Sequence, residues 1–137
     1  MDPIIARCGN RCDLCPLFKG NFNADWASAI NEAIYKYHHR GQGPRPHYTV
    51  ACDGCLSDGY RPRANCPIRA CANDKSFGNC ASCPEMYCQL LEDDMAVIEG
   101  ALSTHAPAMP QADFERFFRP FLIREALAIQ RGGQASQ

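Results

Sequence analysis

The sequence predicts a small α-rich fold, three to four helices packed beside an irregular cysteine-rich region that metal ions staple together. Three observations predict it. Apolar residues recur at helical spacing from Asn23 to Gly41, from Pro84 to about Ser103, and from Asp113 to about Gln130. Six of the ten cysteines crowd between residues 47 and 84, among Gly, Pro, Asp and Asn, where too few apolar side chains recur to build a conventional core. The unit Cys-x2-Cys occurs three times, at Cys12/Cys15, Cys52/Cys55 and Cys80/Cys83.

Residues 1 to 20 hold the first cysteine group and break at Cys15-Pro16 and Lys19-Gly20, so they read as loop and turn. A first helix is expected with Asn23 as its N-cap, Asp25 in the first turn, Trp26, Ile30, Ala33, Ile34 and Tyr37 on one face, and Gly41 as its stop. Gly43-Pro44-Arg45-Pro46 cannot continue it. Between 47 and 84 only short turns or a small hairpin are assigned, around Cys52-Asp53-Gly54-Cys55 and Cys80-Ala81-Ser82-Cys83.

A second helix is expected near Pro84-Glu85, capped by Ser82, with Tyr87, Leu91, Met95, Ile98 and Leu102 on one face. The loop Ala106-Pro107-Ala108-Met109-Pro110 follows. The last stretch gathers Phe114, Phe117, Phe118, Phe121 and Leu122 on one side and is interrupted at Pro120, which requires a kink or two short helices. At 137 residues the chain divides into a cysteine-rich metal-binding domain, 1–105, and a Phe-rich helical extension and tail, 106–137.

Hydrophobic content of 46% and charged content of 21% are those of an ordinary globular chain. The net charge of -1, with no basic run longer than Arg61-Pro62-Arg63, gives nucleic acid no electrostatic purchase. Met1 to Cys8 carries neither a basic leader nor an apolar stretch, so no membrane is expected and the chain is placed in the cytosol. Arg131 to Gln137 reads as a frayed tail.

In a reducing compartment, ten closely spaced thiols point to metal rather than disulfides. Two thiolates two residues apart on a tight turn take two corners of a tetrahedron, and two such pairs close a site. All ten are candidate ligands: Cys8, Cys12, Cys15, Cys52, Cys55, Cys66, Cys71, Cys80, Cys83 and Cys88. Zinc at two or more sites leads, because paired knuckles from distant segments are its habit. The alternative is a 4Fe–4S cluster at Cys8, Cys12 and Cys15, whose Cys8-x3-Cys12-x2-Cys15-Pro16 spacing suits one. The expected pairing sets Cys12, Cys15, Cys52 and Cys55 around one ion and Cys66, Cys71, Cys80 and Cys83 around another, with Cys8 and Cys88 free to substitute or bridge. One four-cysteine site plus one six-thiolate site for two zinc ions, or three sites completed by two histidines, also accounts for all ten.

Arg7, Arg11, Arg61, Arg63, Arg69 and Lys75 lie near cysteines in sequence and either offset thiolate charge or face solvent. Among the histidines, His47 is the candidate ligand, His38 and His39 read as C-cap or surface residues, and His105 as a solvent-facing loop residue. Asp53, Asp58 and Asp74 read as turn residues, and Glu92-Asp93-Asp94 as a wet helix face. There is no Ser-His-Asp order, phosphate loop, His-Glu-x2-His or dinucleotide fingerprint, so no catalytic residue is named. The function expected is a structural-zinc module serving a protein partner, with the Phe114, Phe117, Phe118, Phe121 cluster as its surface unless that cluster is internal core.

The order Cys-Gly-x2-Cys-x2-Cys-Pro (from Cys8), Cys-Asp-Gly-Cys-Leu-Ser-Asp-Gly (52–59), Cys-x-Ile-Arg-x-Cys-Ala (Cys66 to Ala72) and Asn-Cys-x2-Cys-x4-Cys (Asn79 to Cys88) resembles a bacterial and archaeal family, domain of unknown function 3795, over about residues 5–92. The resemblance implies a compact, metal-binding cysteine module with all ten cysteines on motif positions, and it implies no reaction.

Overall fold

The computed structural model describes residues 3–38, 43–62 and 65–135. Its regular structure there is helical: α1 is Ala27–Tyr37, α2 Pro67–Asp74, α3 Gln89–His105, α4 Gln111–Phe117 and α5 Ile123–Ala135. Short 3-10 turns occupy Ala24–Trp26, Cys80–Ser82, Ala106–Ala108 and Arg119–Phe121. Two isolated β-bridges, Ile5 to Arg11 and Phe18 to Cys52, tie the cysteine loops. The α-rich class stands, with five helices in place of three or four.

Asn23 caps as expected, its side chain accepting from the Asp25 amide at 2.8 Å. What it caps is a 3-10 turn, which turns Trp26 off the helical face and leaves it 57% exposed, while Ile30, Ile34 and Tyr37 are buried. The expected stop at Gly41 and His39 lie outside the described residues. The buried Asn31 of α1 pins the following loop by exchanging two hydrogen bonds with the backbone of Tyr48, at 3.0 and 2.9 Å.

Helix α2 corrects the reading of 47–84 as turns alone. Pro67 occupies its first turn, where a missing N–H costs nothing, and Ile68 and Ala72, four residues apart, point inward. The second expected helix begins later, at Gln89. Ser82 lies inside a 3-10 turn that Asn79 caps, its side chain accepting from the Ala81 amide, and Cys88 is the extended residue before α3. At the C-terminal end Pro120 separates two short helices, α4 and α5.

Two apolar clusters result. One joins Cys8, Cys12, Ile68, Cys80 and Ala81 to Leu91 and Met95 of α3 and Ile123 and Leu127 of α5. The other joins Ile30, Ile34 and Tyr37 to Ala101, Phe117 and Phe118. Helix α3 runs through both, about 25 Å long at 1.5 Å per residue. The middle segment is therefore not without an oily interior: it shares the first cluster. Nor are the phenylalanines a surface, since Phe117 and Phe118 are buried core residues.

Candidate metal centre

The backbone gathers the cysteine turns before any side chain is considered. The Cys52 amide donates to the Leu17 carbonyl and the Lys19 amide to the Cys52 carbonyl, which lays the 52–55 turn against the 12–15 turn. The Cys80 amide donates to the Arg7 carbonyl, which brings the third turn to the N-terminal loop. Gly54, at φ +98°, lets the 52–55 turn close so that its amide reaches the Cys52 sulfur at 3.3 Å. The Glu85 amide reaches the Cys83 sulfur at 3.4 Å in the same i, i+2 pattern. Gly9, at φ +100°, packs so tightly on α5 that a Cβ would stand 2.8 Å from Leu127 Cγ.

The ten thiols, all free, fall into two neighbouring groups. In the first, the Cys12 and Cys55 thiols hydrogen-bond to each other, Cys15 and Cys52 lie within electrostatic reach of one another, and Cys8 lies within electrostatic reach of Cys55 and Cys66. In the second, Cys71, Cys80, Cys83 and Cys88 line one cleft between α2, the Cys80–Ser82 turn and the start of α3. Cys66, the residue before α2, lies within electrostatic reach of both Cys8 and Cys80. Sequence order alone missed that Cys88, at the N-terminal end of α3, completes the second group.

Burial shapes the thiols' acidity. It pushes Cys8 up to about 12 and Cys15 and Cys80 up to about 11. Within the Cys12–Cys55 pair the shared hydrogen bond lowers Cys12 and raises Cys55, so Cys55 keeps its proton longer. Among the described residues no three or more Cys, His, Asp or Glu side chains form a group that could hold an ion as they stand. The sulfurs are neighbours that do not converge on one centre. Moves between staggered χ1 wells shift a sulfur by a distance comparable with a Zn–S bond of about 2.3 Å.

The cationic candidates separate clearly. Arg61 and Arg69 lie within electrostatic reach of Cys55, and Arg61 also of Cys52. Arg69 is buried, and the Nε of Arg61 is a buried donor with no partner. Lys75 faces Cys71 and Cys83 from the solvent side. Arg7 instead donates to the Gly78 carbonyl at 2.7 Å, and Arg11 pairs with Asp13 at 2.6 Å. Arg63 lies outside the described residues.

His47 is exposed, on a loop. His38 sits against the Phe117 carbonyl at 2.8 Å, and His105, the last residue of α3 rather than a loop residue, meets the Tyr37 ring edge-on with centroids 5.1 Å apart. Asp53 accepts from the Tyr60 amide at 2.7 Å, the turn role expected of it. Glu92 pairs with Arg124 of α5 at 3.0 Å.

The profile of the family described as "Protein of unknown function (DUF3795)" matches residues 4–93, well over half of the chain. The chain belongs to that family. The match ends early in α3, so α4 and α5 lie beyond it. No curated protein and no solved structure matches the chain. No helix among the described residues is long and apolar enough to cross a membrane.

Proposed function

We propose that this member of the DUF3795 family is a metal–thiolate protein whose ten cysteines hold divalent cations, zinc first, in a structural role that presents the helices to a protein partner. One observation carries the reading: thiols from three distant stretches, 8–15, 52–55 and 66–88, meet in two adjoining groups, with cationic side chains facing each. Free buried thiols serving as small apolar residues would need neither the Cys-x2-Cys turns nor two arginines brought up to them. Tetrahedral zinc asks only for four converging thiolates and no open position, which suits a site built to hold rather than to react.

The second reading, a 4Fe–4S cluster on Cys8, Cys12 and Cys15, is favoured by their spacing and by Cys55, which reaches all three as a fourth sulfur. Elemental analysis of anaerobically purified protein separates them. The zinc reading requires a colourless protein with at least two Zn per chain; a brown protein carrying iron and acid-labile sulfide selects the cluster, and a folded protein with no bound metal removes both.

A further inference from the structure

We propose that Cys80 and Cys83 are a peroxide-responsive pair that closes a reversible disulfide inside the cleft between α2 and the start of α3. Turn geometry carries the proposal. The Cys83 amide donates to the Cys80 carbonyl at 3.1 Å, an i to i+3 closure that keeps the two Cα atoms within about 7 Å of each other. A disulfide spans about 4.4–6.8 Å between Cα atoms, so the backbone already lies in its range. Both residues line the same cleft, which sets their side chains on one side of the turn. Contacts other than the sulfurs hold that turn in place. Asn79 caps it by accepting from the Ala81 amide at 2.9 Å, the Cys80 amide donates to the Arg7 carbonyl at 2.7 Å, and Arg131 donates to the Ala81 and Cys83 carbonyls.

The competing pairs lack one condition each. Cys71 belongs to α2 and Cys88 precedes α3, so no shared turn sets the distance between them. The Cys12 to Cys15 turn closes in the same way, at 3.2 Å, but lies outside this cleft, and the Cys12 thiol is engaged with that of Cys55. The cleft also selects the oxidant. Its free volume of about 20 Å³ takes a molecule of the size of water, and Ile68, Phe77, Leu90 and Leu91 are among its walls. Hydrogen peroxide is small and uncharged and enters; a charged, peptide-sized disulfide does not. Peroxide takes one thiol to sulfenic acid and releases one water. The second thiol then attacks that sulfur, the S–S bond forms, and the hydroxyl leaves with the thiol proton as a second water. Two thiols thus lose two electrons and one peroxide is reduced, and a thiol reductant reverses the bond. Under the metal–thiolate reading, oxidation leaves this cleft Cys71 and Cys88, half of the four thiolates of a closed zinc site, so the pair is also a switch on that ion. The disulfide itself rests on the turn and the cleft.

The full chain, purified anaerobically and reduced, tests this when titrated with hydrogen peroxide and mapped by differential alkylation and mass spectrometry. Cys80–Cys83 should be the first disulfide to form, and dithiothreitol should restore both thiols. In Cys83→Ser, Cys80 should stop at sulfenic acid, trapped by dimedone. Asn79→Ala, which removes the cap of the turn, should slow closure about fivefold. In concentrated urea the three Cys-x2-Cys pairs should oxidise at similar rates. A first disulfide at Cys71 and Cys88 or at any other pair, or oxidation to sulfinic acid with no disulfide, would overturn the proposal. Selectivity that survives in urea would assign it to spacing rather than to the folded turn and overturn it equally. Metal content is read separately: a failed disulfide leaves the metal–thiolate reading standing, and a protein with no bound ion removes that reading while the disulfide is still expected.

Discussion

Tyr37 shows how one side chain ties the second cluster together. Its ring is buried against Phe117, Phe118 and His105, and its hydroxyl donates to Asp113 at 2.5 Å. Burial, reinforced by the adjacent carboxylate, pushes the phenol up to about 12, above its ordinary value of about 10. A raised acid holds its proton more tightly folded than unfolded. Its contribution is therefore complete below pH 10 and is lost as the pH climbs towards 12. Thiols titrate in the same window, so the useful quantity is the difference in denaturant midpoint between wild type and Tyr37→Phe. That difference should narrow from pH 9 to pH 11.5. A gap that stays constant would mean that the phenol does not titrate with folding.

At the scale of elements, α5 matters more than its position near the end of the chain suggests. Ile123 and Leu127 pack in the same cluster as Cys8 and Cys12, and Arg131 donates to the Ala81 and Cys83 carbonyls in the third cysteine turn. Leu127→Ala should therefore cost about 2–5 kcal/mol, as buried Leu-to-Ala changes do, and should speed alkylation of Cys8 and Cys12. A denaturation midpoint within error of wild type would show α5 to be an appendage. Elements were legible where the apolar period was strong: Ile30, Ile34 and Tyr37 mark α1 in the sequence itself, while Asn23 marks the 3-10 turn that leads into it. Helix α2 was hidden because eight residues bury only Ile68, Ala72 and the arginine Arg69, a weak period preceded by a cysteine instead of a capping residue. The start of α3 was misplaced because Pro84 after Ser82 imitates a helix start, whereas tertiary hydrogen bonds draw that turn to the N-terminal loop. The same limit applies to the cysteines. Their spacing marks them as candidate ligands, but that Cys88 lines one cleft with Cys71, and that Arg61 and Arg69 lie within electrostatic reach of Cys55, come from tertiary placement, which spacing does not encode.

Across the whole molecule, the two clusters differ in what they rest on. The α1–α4 cluster is aromatic and aliphatic throughout. The other is assembled around cysteine, with Cys8, Cys12 and Cys80 among its buried members and Cys55, Cys66 and Cys88 packed against it. Buried free thiols pack as small apolar side chains, and closed thiolate sites of zinc would add on the order of 10 kcal/mol or more to folding. The metal–thiolate account thus makes the cysteine half conditional on bound ions and the α1–α4 half much less so. The most direct measurement is a thermal melt followed by circular dichroism, on anaerobic reduced protein before and after a strong chelator. The account predicts a large fall in melting temperature and a loss of helical signal after chelation, both restored by adding back zinc. Superimposable melts, with the metal shown to be gone, would contradict it.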